Sequence, residues 1–355
     1  MIVTVNSQHL AGELRLLNKI VPTKPAIVIL SHVLLQADER GLHLWATDLE
    51  VGLSTDCQAA VTQPGKVALP LARLLSLVEQ FPNADVSIQA DDTKIAIACG
   101  AFNGRLQALP ANDFPAAPPV DGQMNVIDGD DFRRLIARTR YAINATAQKF
   151  AMQGALLTLH GTGAVMVTTD AKRLALATAT RAGTDASMIV PAKALDALAN
   201  ADGAEVEVTV GRRHLHFTYG GRTLTSRTID GKFPAYERII PRDNDKVVTV
   251  GKGDLTSALK RVILVAEDDR RTYLAITTDK ITLAARSQEV GQADEAVRAE
   301  YAGVPLKVCV NGGYVLDFLE AAQGTTVQMH FKDANGAMMM MDGEDHVGVI
   351  MLMKG

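Results

Sequence analysis

The sequence predicts an α+β protein of three tandem, similar domains, each with two helices packed on antiparallel sheet. Three observations carry this. An apolar strand ends at Pro70, Pro191 and Asn311, 121 and then 120 residues apart, and each time runs into a helical stretch and then a hairpin of alternating apolar residues. Helical stretches around Leu10, Phe132 and Leu255 keep the same beat, 122 and 123 residues apart. A period this long lies far beyond the ~20–50 residues of a solenoid unit, so what repeats is a whole domain. With 355 residues and 47% hydrophobic content, each third can build its own core.

The expected domains are 1–120, 121–245 and 246–355. Each opens with a helix whose start carries capping residues: Asn6 and Ser7, then the acidic cluster from Asp128 to Asp131, then Gly253 and Asp254. Leu10, Leu14, Leu17 and Ile20 in the first, and Phe132, Leu135, Ile136 and Ile143 in the second, recur at helical spacing and leave the basic residues largely off that stripe. Strand pairs follow, with polar breaks from Asp38 to Gly41 and from Gly161 to Gly163 as hairpin turns. After the second helix comes a hairpin turning at Asp91-Asp92, Gly211-Arg212 or Asn335-Gly336, of which Asn-Gly is the strongest signal. The Pro-rich stretch PANDFPAAPPVDGQ and the segment IPRDNDK around Pro241 read as linkers. Two helices per domain lie on one side of its sheet, so the polar faces of all six can converge if the domains are joined in an arc.

Net charge is −4, which by itself argues against nucleic acid. Its distribution argues the other way, because Phe132 to Lys149 holds Arg133, Arg134, Arg138, Arg140 and Lys149 and no acidic residue. The equivalent helices carry Arg15 with Lys19 and Lys260 with Arg261. One basic helix face is common on any soluble protein; three equivalent ones point to a shared polyanion-facing surface. Cys57, Cys99 and Cys309 fall in apolar strand patterns without CxxC or ligand spacing, as buried thiols of a reducing cytosol do. MIVTVNSQHL lacks a signal-peptide pattern and no apolar run approaches ~18 residues, so a soluble cytoplasmic chain with no membrane partner is expected.

Asp48, Asp170 and Asp279, each preceded by Thr, invite an acid–base or metal reading. A turn aspartate bonding its own backbone explains them better, since one carboxylate per domain gives no convergent pair. His214 and His216 share a strand face at a spacing zinc could use, but no third ligand lies near, and a solvated strand face is expected. GxxxxGK[ST], GxGxxG after a strand, GxSxG and HExxH are all missing, which removes the common nucleotide-hydrolysing and Rossmann classes. No catalytic residue, metal or cofactor is assigned. Seven of the twelve methionines lie between Met329 and Met353. Core packing and an adaptable groove for peptide side chains both fit the run Met338 to Met341.

TDLE near 48, LPANDFP at 109–115, TDAKRLA at 169–175, VPAK at 190–193, DGKFPAYERIIP at 230–241, NGGYVLD at 311–317 and the closing IMLMKG together resemble the bacterial DNA polymerase III beta subunits, the replicative sliding clamps. The resemblance is colinear from end to end. It implies the DNA-clamp fold, closed as a ring-shaped head-to-tail homodimer with helices lining the hole, a non-catalytic processivity factor encircling duplex DNA without reading sequence. By family position, DNA-facing residues are Lys24, Arg73, Gln148, Lys149 and Lys193, joined by Arg133, Arg134 and Arg138 from charge. The family's groove for polymerase III alpha subunit, clamp loader and other clamp-binding proteins carries over to Met152, Thr169, Ala171, Lys172, Arg173, Leu174, Pro234, Arg238, Ile239, Asn311, Tyr314, Val349, Met351 and Leu352. Apolar members suit anchor side chains, and Arg and Asn suit backbone or carboxyl groups. The ring interface falls on Leu106 and on Ile263 with Leu264.

Two departures stand out. The family usually reads TDGHRLA, where this chain has Ala171-Lys172, and has Pro where this chain has Leu352. A more cationic groove mouth and a looser C-terminal strand are expected, and with them an altered partner preference, as in a specialised or mobile-element second clamp. A repeat-built enzyme using the three aspartates and two histidines is the alternative from another class.

Overall fold

The computed structural model of the chain describes all residues except 23, 92–93, 145–149, 162, 181–184 and 355. Six α-helices recur in pairs among the described residues: α1 (Ser7–Asn18), α2 (Leu71–Val78), α3 (Gly129–Thr139), α4 (Ala192–Leu198), α5 (Lys252–Val262) and α6 (Gly312–Ala321). Each follows directly on a strand, the odd-numbered ones after Ile2–Asn6, Gln123–Asp128 and Lys246–Gly251, the even-numbered ones after Gly65–Pro70, Ala186–Pro191 and Leu306–Asn311. The threefold order read from the sequence is thus the order of the fold.

Two compact units form, Met1–Gly129 with Asp196–Thr228, and Asp130–Leu195 with Ile229–Gly355. The division cuts through the middle repeat because sheets continue from one repeat into the next. Strand Arg222–Arg227 pairs with Val51–Cys57 in the first unit, and Arg173–Ala179 pairs with His346–Met351 in the second.

In the first unit a five-stranded sheet ends on the edge strand Phe102–Gln107, and an eight-stranded sheet runs from Gln123–Asp128 to Gly65–Pro70. Asn6 caps α1, its side-chain oxygen accepting from the amides of Gln8 and His9. Leu10, Ala11, Leu14 and Leu17 bury one face of α1, and Leu71, Leu74, Leu75 and Val78 one face of α2. Arg222 clamps Glu13 with two bonds of 2.6 and 2.8 Å and reaches Asp202 at 2.6 Å. Burial pushes the Glu13 carboxyl up, yet its bonds from Arg222 and Thr55 outweigh this and hold it below its usual range.

The second unit carries a twelve-stranded sheet from Ala186–Pro191 to Leu306–Asn311. Leu255, Leu259 and Val262 of α5 and Val315, Phe318 and Leu319 of α6 pack with Met329, Met338 and Met340 in one core. Met338 and Met340 are fully buried and Met339 and Met341 half-buried, so period-two alternation divides the methionine run between core and surface.

Several expectations are corrected. α5 starts from Gly251 with no side-chain cap, so Gly253 and Asp254 already lie inside it. Asn335-Gly336 is no two-residue turn: strands Thr326–Phe331 and Ala337–Met341 are joined by residues 332–336, with Asp333 accepting from the amides of Asn335 and Gly336. His216 is buried, not solvated, bonded to the Thr225 hydroxyl at 3.0 Å. The proline linker covers it, since Pro119 and Asp121 act on its ring. The C-terminal tail is tied down: Met353 donates to the Cys309 carbonyl at 2.8 Å and Arg271 to that of Lys354 at 3.2 Å. Asp92 lies outside the described residues. Cys57, Cys99 and Cys309 are buried and unbridged.

Candidate functional site

Where strand Arg173–Ala179 meets His346–Met351, Leu174 pairs with Val349 and the Met351 amide donates to the Lys172 carbonyl at 2.9 Å. The turn before it is built by TDAKR. Asp170 accepts from the amides of Lys172 and Arg173, both at 2.9 Å, while the Thr169 hydroxyl donates to the Arg173 carbonyl and accepts from the Ala171 amide. This geometry forces Ala171 to φ 72° and leaves Ala171 and Lys172 exposed.

Beneath the turn, Ala151, Val167, Leu174, Ile189, Phe233 and Val349 form an apolar floor, with Met152 also buried. Met351 at 47% and Ile239 at 38% exposure stand above it as apolar lips, with Pro234 half-buried between solvent and floor. Lys172 and Arg238 are exposed cations around this surface. Exposed apolar side chains on a preformed apolar floor suit hydrophobic peptide anchors.

Two expected peptide contacts are instead spent inside the fold. Arg173 bonds Asp170 at 3.1 Å, Asp317 and the Tyr141 carbonyl, and its guanidinium lies 4.4 Å from the Tyr314 ring centre. Asn311 caps α6, accepting from the amides of Gly313 and Tyr314 and donating to the Asp269 carbonyl. Both side chains are half-buried and already bonded within the fold, Arg173 between the turn and α6 and Asn311 at the start of α6. Leu352 and Tyr314 pack against the core under α6. Phe233 and Tyr236, missed from the sequence, support the floor; the motif DGKFPAYERIIP contained them.

The basic helices are largely neutralised. Arg15 meets Glu79 at 2.6 Å, Lys260 meets Glu320 at 2.9 Å, and Arg261 meets Glu295 at 2.5 Å. On α3, Arg133 pairs with Asp130 at 2.6 Å and Arg134 with Asp131 at 2.8 Å. Arg138 is not on a DNA-facing surface: it is 5% exposed, paired with Asp345 at 2.6 Å and near Asp342 at 3.6 Å. On α3 the acidic partners lie in its own first turn or some 200 residues later, and those of Arg15, Lys260 and Arg261 lie 34 to 64 residues on, which charge counting along one helix does not see. Lys24 and Arg73 are exposed and Lys193 half-buried; Gln148 and Lys149 lie outside the described residues.

Asp48 repeats the Asp170 turn, accepting from the amides of Glu50 and Val51, with Leu49 at φ 78° in the place of Ala171. At the third copy the turn has the same length, the Thr277 amide donating to the Lys280 carbonyl as that of Asp48 does to Val51 and that of Asp170 to Arg173, but Thr277 stands in the aspartate's place and Asp279 lies two residues further on. No group of three or more His, Cys, Asp or Glu is arranged to hold a metal ion, and no helix is long and apolar enough to cross a membrane, among the described residues.

On the edge strand Phe102–Gln107, Leu106 is half-buried; Leu264 is 78% exposed, while Ile263 packs against the core of its own unit.

Family patterns of the DNA polymerase III beta subunit match in three consecutive stretches: the N-terminal domain over 1–118, the central domain over 126–235 and the C-terminal domain over 237–354. The beta sliding clamp of Caulobacter vibrioides is 33% identical over 361 residues, covering 97% of each chain. That of Pseudomonas aeruginosa is 32% identical over 364 residues, covering 99% of each. A solved Pseudomonas aeruginosa DnaN sliding clamp bound to griselimycin matches with a TM-score of 0.94 at 31% identity over the whole of both chains. A solved C. crescentus beta sliding clamp matches with 0.93 at 31% over the same full extent.

Proposed function

The chain belongs to the DNA polymerase III beta subunit family, and from that premise we infer that it works as a DNA sliding clamp, a non-catalytic tether that encircles duplex DNA and confers processivity on polymerase III. The observation that carries this is the match of all three family domains in order along one chain. Two copies closed head to tail, through the Leu106 edge of one and Leu264 of the other, would link the ring topologically to DNA. A linked ring needs only weak, salt-sensitive phosphate contacts, which suits a chain of net charge −4. For these we keep Lys24, Arg73, Lys193, Arg133 and Arg134, with Gln148 and Lys149, and drop Arg138. The domain limits 1–120, 121–245 and 246–355 and a cytoplasmic location belong to the same reading.

The surface around Met152, Leu174, Pro234, Ile239 and Met351 is the docking groove for the alpha subunit, the clamp loader and other partners. Its apolar floor supplies the affinity, and the exposed Lys172 and Arg238 steer selectivity. Primer extension by polymerase III core with clamp loader tests the function: added chain should lengthen the products of single binding events. Products of unchanged length would reject it.

A further inference from the structure

Strands Arg271–Ile276, Lys280–Ser287 and Leu306–Asn311 turn Leu274, Leu283 and Val308 into the core with α5 and α6. Alternation puts Tyr273, Ala275, Thr282, Ala284, Lys307 and Cys309 on the opposite face. Here Ala275 pairs with Thr282 and Lys307, and Tyr273 with Ala284 and Cys309. Between the Tyr273 ring and Met353 these small side chains leave an apolar cavity of about 260 Å³, roofed by Ala334 and Asn335. A second hollow, of about 290 Å³, continues from Tyr273 and Ala284 toward Arg286 and Asp294. None of the groove residues read from the sequence lines either one.

We propose that this trough is a further binding site, taking one branched or aromatic side chain of an extended acidic peptide segment in the chamber between Tyr273 and Met353, with a neighbouring carboxylate on Lys307. Three features fix the occupant. The chamber is apolar and sized for a single large side chain. The one charged side chain lining the chamber is cationic: Lys307 is exposed and without an ion-pair partner among the described residues, whereas farther along the face Arg286, 5.5 Å from the Tyr273 ring centre, and Arg271 are balanced by Glu267, Asp269 and Asp294. Finally, Met353 is pinned to the Cys309 carbonyl two residues beyond Met351, so a peptide leaving the groove past that lip reaches the chamber within a few residues at roughly 3.3 Å each. The identity of the segment as the flank of a groove-bound partner rests on the reading above; the chamber does not.

The test uses full-length dimer with methyl-labelled methionine and two blocked tetrapeptides, one acidic with a central leucine and the same peptide with alanine. The leucine peptide should shift the Met353 methyl saturably, and the alanine peptide should not. Ala284→Leu, which fills the chamber from an outward-facing position, should abolish the shift, and Lys307→Glu should weaken binding by roughly fivefold, more than a neutral surface change. Met351→Ala, which damages only the groove, should leave the Met353 shift intact. A shift that survives Ala284→Leu, vanishes with Met351→Ala, or never appears at millimolar peptide overturns the proposal. Loss of polymerase-peptide binding in Met351→Ala with the Met353 shift retained separates the two sites.

Discussion

Ala171 holds φ 72°, a region where a Cβ crowds the next carbonyl oxygen at roughly 1–2 kcal/mol for any residue but glycine. Four hydrogen bonds from Thr169 and Asp170 over-determine the turn and keep it there. Ala171→Gly should therefore stabilise the second unit by about 0.5–1 kcal/mol, the relieved strain being partly offset by a freer unfolded chain. A higher urea midpoint at unchanged slope is the expected reading, and an unchanged or lower midpoint contradicts it. On the strand paired beside this turn, Met351→Ala should weaken partner-peptide binding by roughly 1–3 kcal/mol, as loss of an anchor contact does, whereas Lys172→His should mainly reorder peptides by their flanking acidic residues. Calorimetric titration checks both, and equal affinities throughout would reject them. The sequence motif TDAKRLA was enough to locate this turn. It could not reveal that Arg173 is already committed, because Asp317 and Tyr314 come from a helix more than 140 residues away.

At the scale of the helix, α3 shows what periodicity captures and what it misses. Phe132, Leu135 and Ile136 are buried as their spacing predicts. Arg138, which reads as surface charge, is buried with them because Asp342, Asp345 and the Gln323 side chain converge on it. Removing one member of a buried pair strands the other, so Arg138→Ala should destabilise by roughly 3–5 kcal/mol while leaving the salt slope of DNA binding unchanged; Arg73→Ala should do the reverse. His346 sits in the same cluster, stacked on Phe318 at 4.5 Å with Nε2 donating to the Arg138 carbonyl at 3.0 Å. Burial, and then the Arg138 charge, pull its pKa down to about 4 against the partial opposition of Asp342. An unfolded chain takes up this proton near pH 6.5 and the folded one does not until about 4. Stability should hence fall as pH drops through that window, by roughly 3 kcal/mol from this residue. Urea midpoints from pH 7 to 4 should decline less steeply in His346→Gln; identical slopes would remove the assignment.

Over the whole chain, the threefold order of strands and helices was legible because each repeat restates the same strand–helix junction, at Pro70, Pro191 and Asn311. The compact units were not, since they depend on which strand edges pair, and edge pairing leaves no local signature. Leu264, 78% exposed, belongs to the inferred ring contact, so Leu264→Asp should convert dimer to monomer in sedimentation, with a persistent dimer contradicting it. Ile263 is a poorer probe because it packs within its own unit. A topological link makes one demand that ordinary DNA affinity does not. Chain loaded onto nicked circular DNA by its clamp loader should stay bound through a high-salt wash and be released when a restriction enzyme linearises the circle. Release by salt from the intact circle, or retention after linearisation, would contradict the clamp.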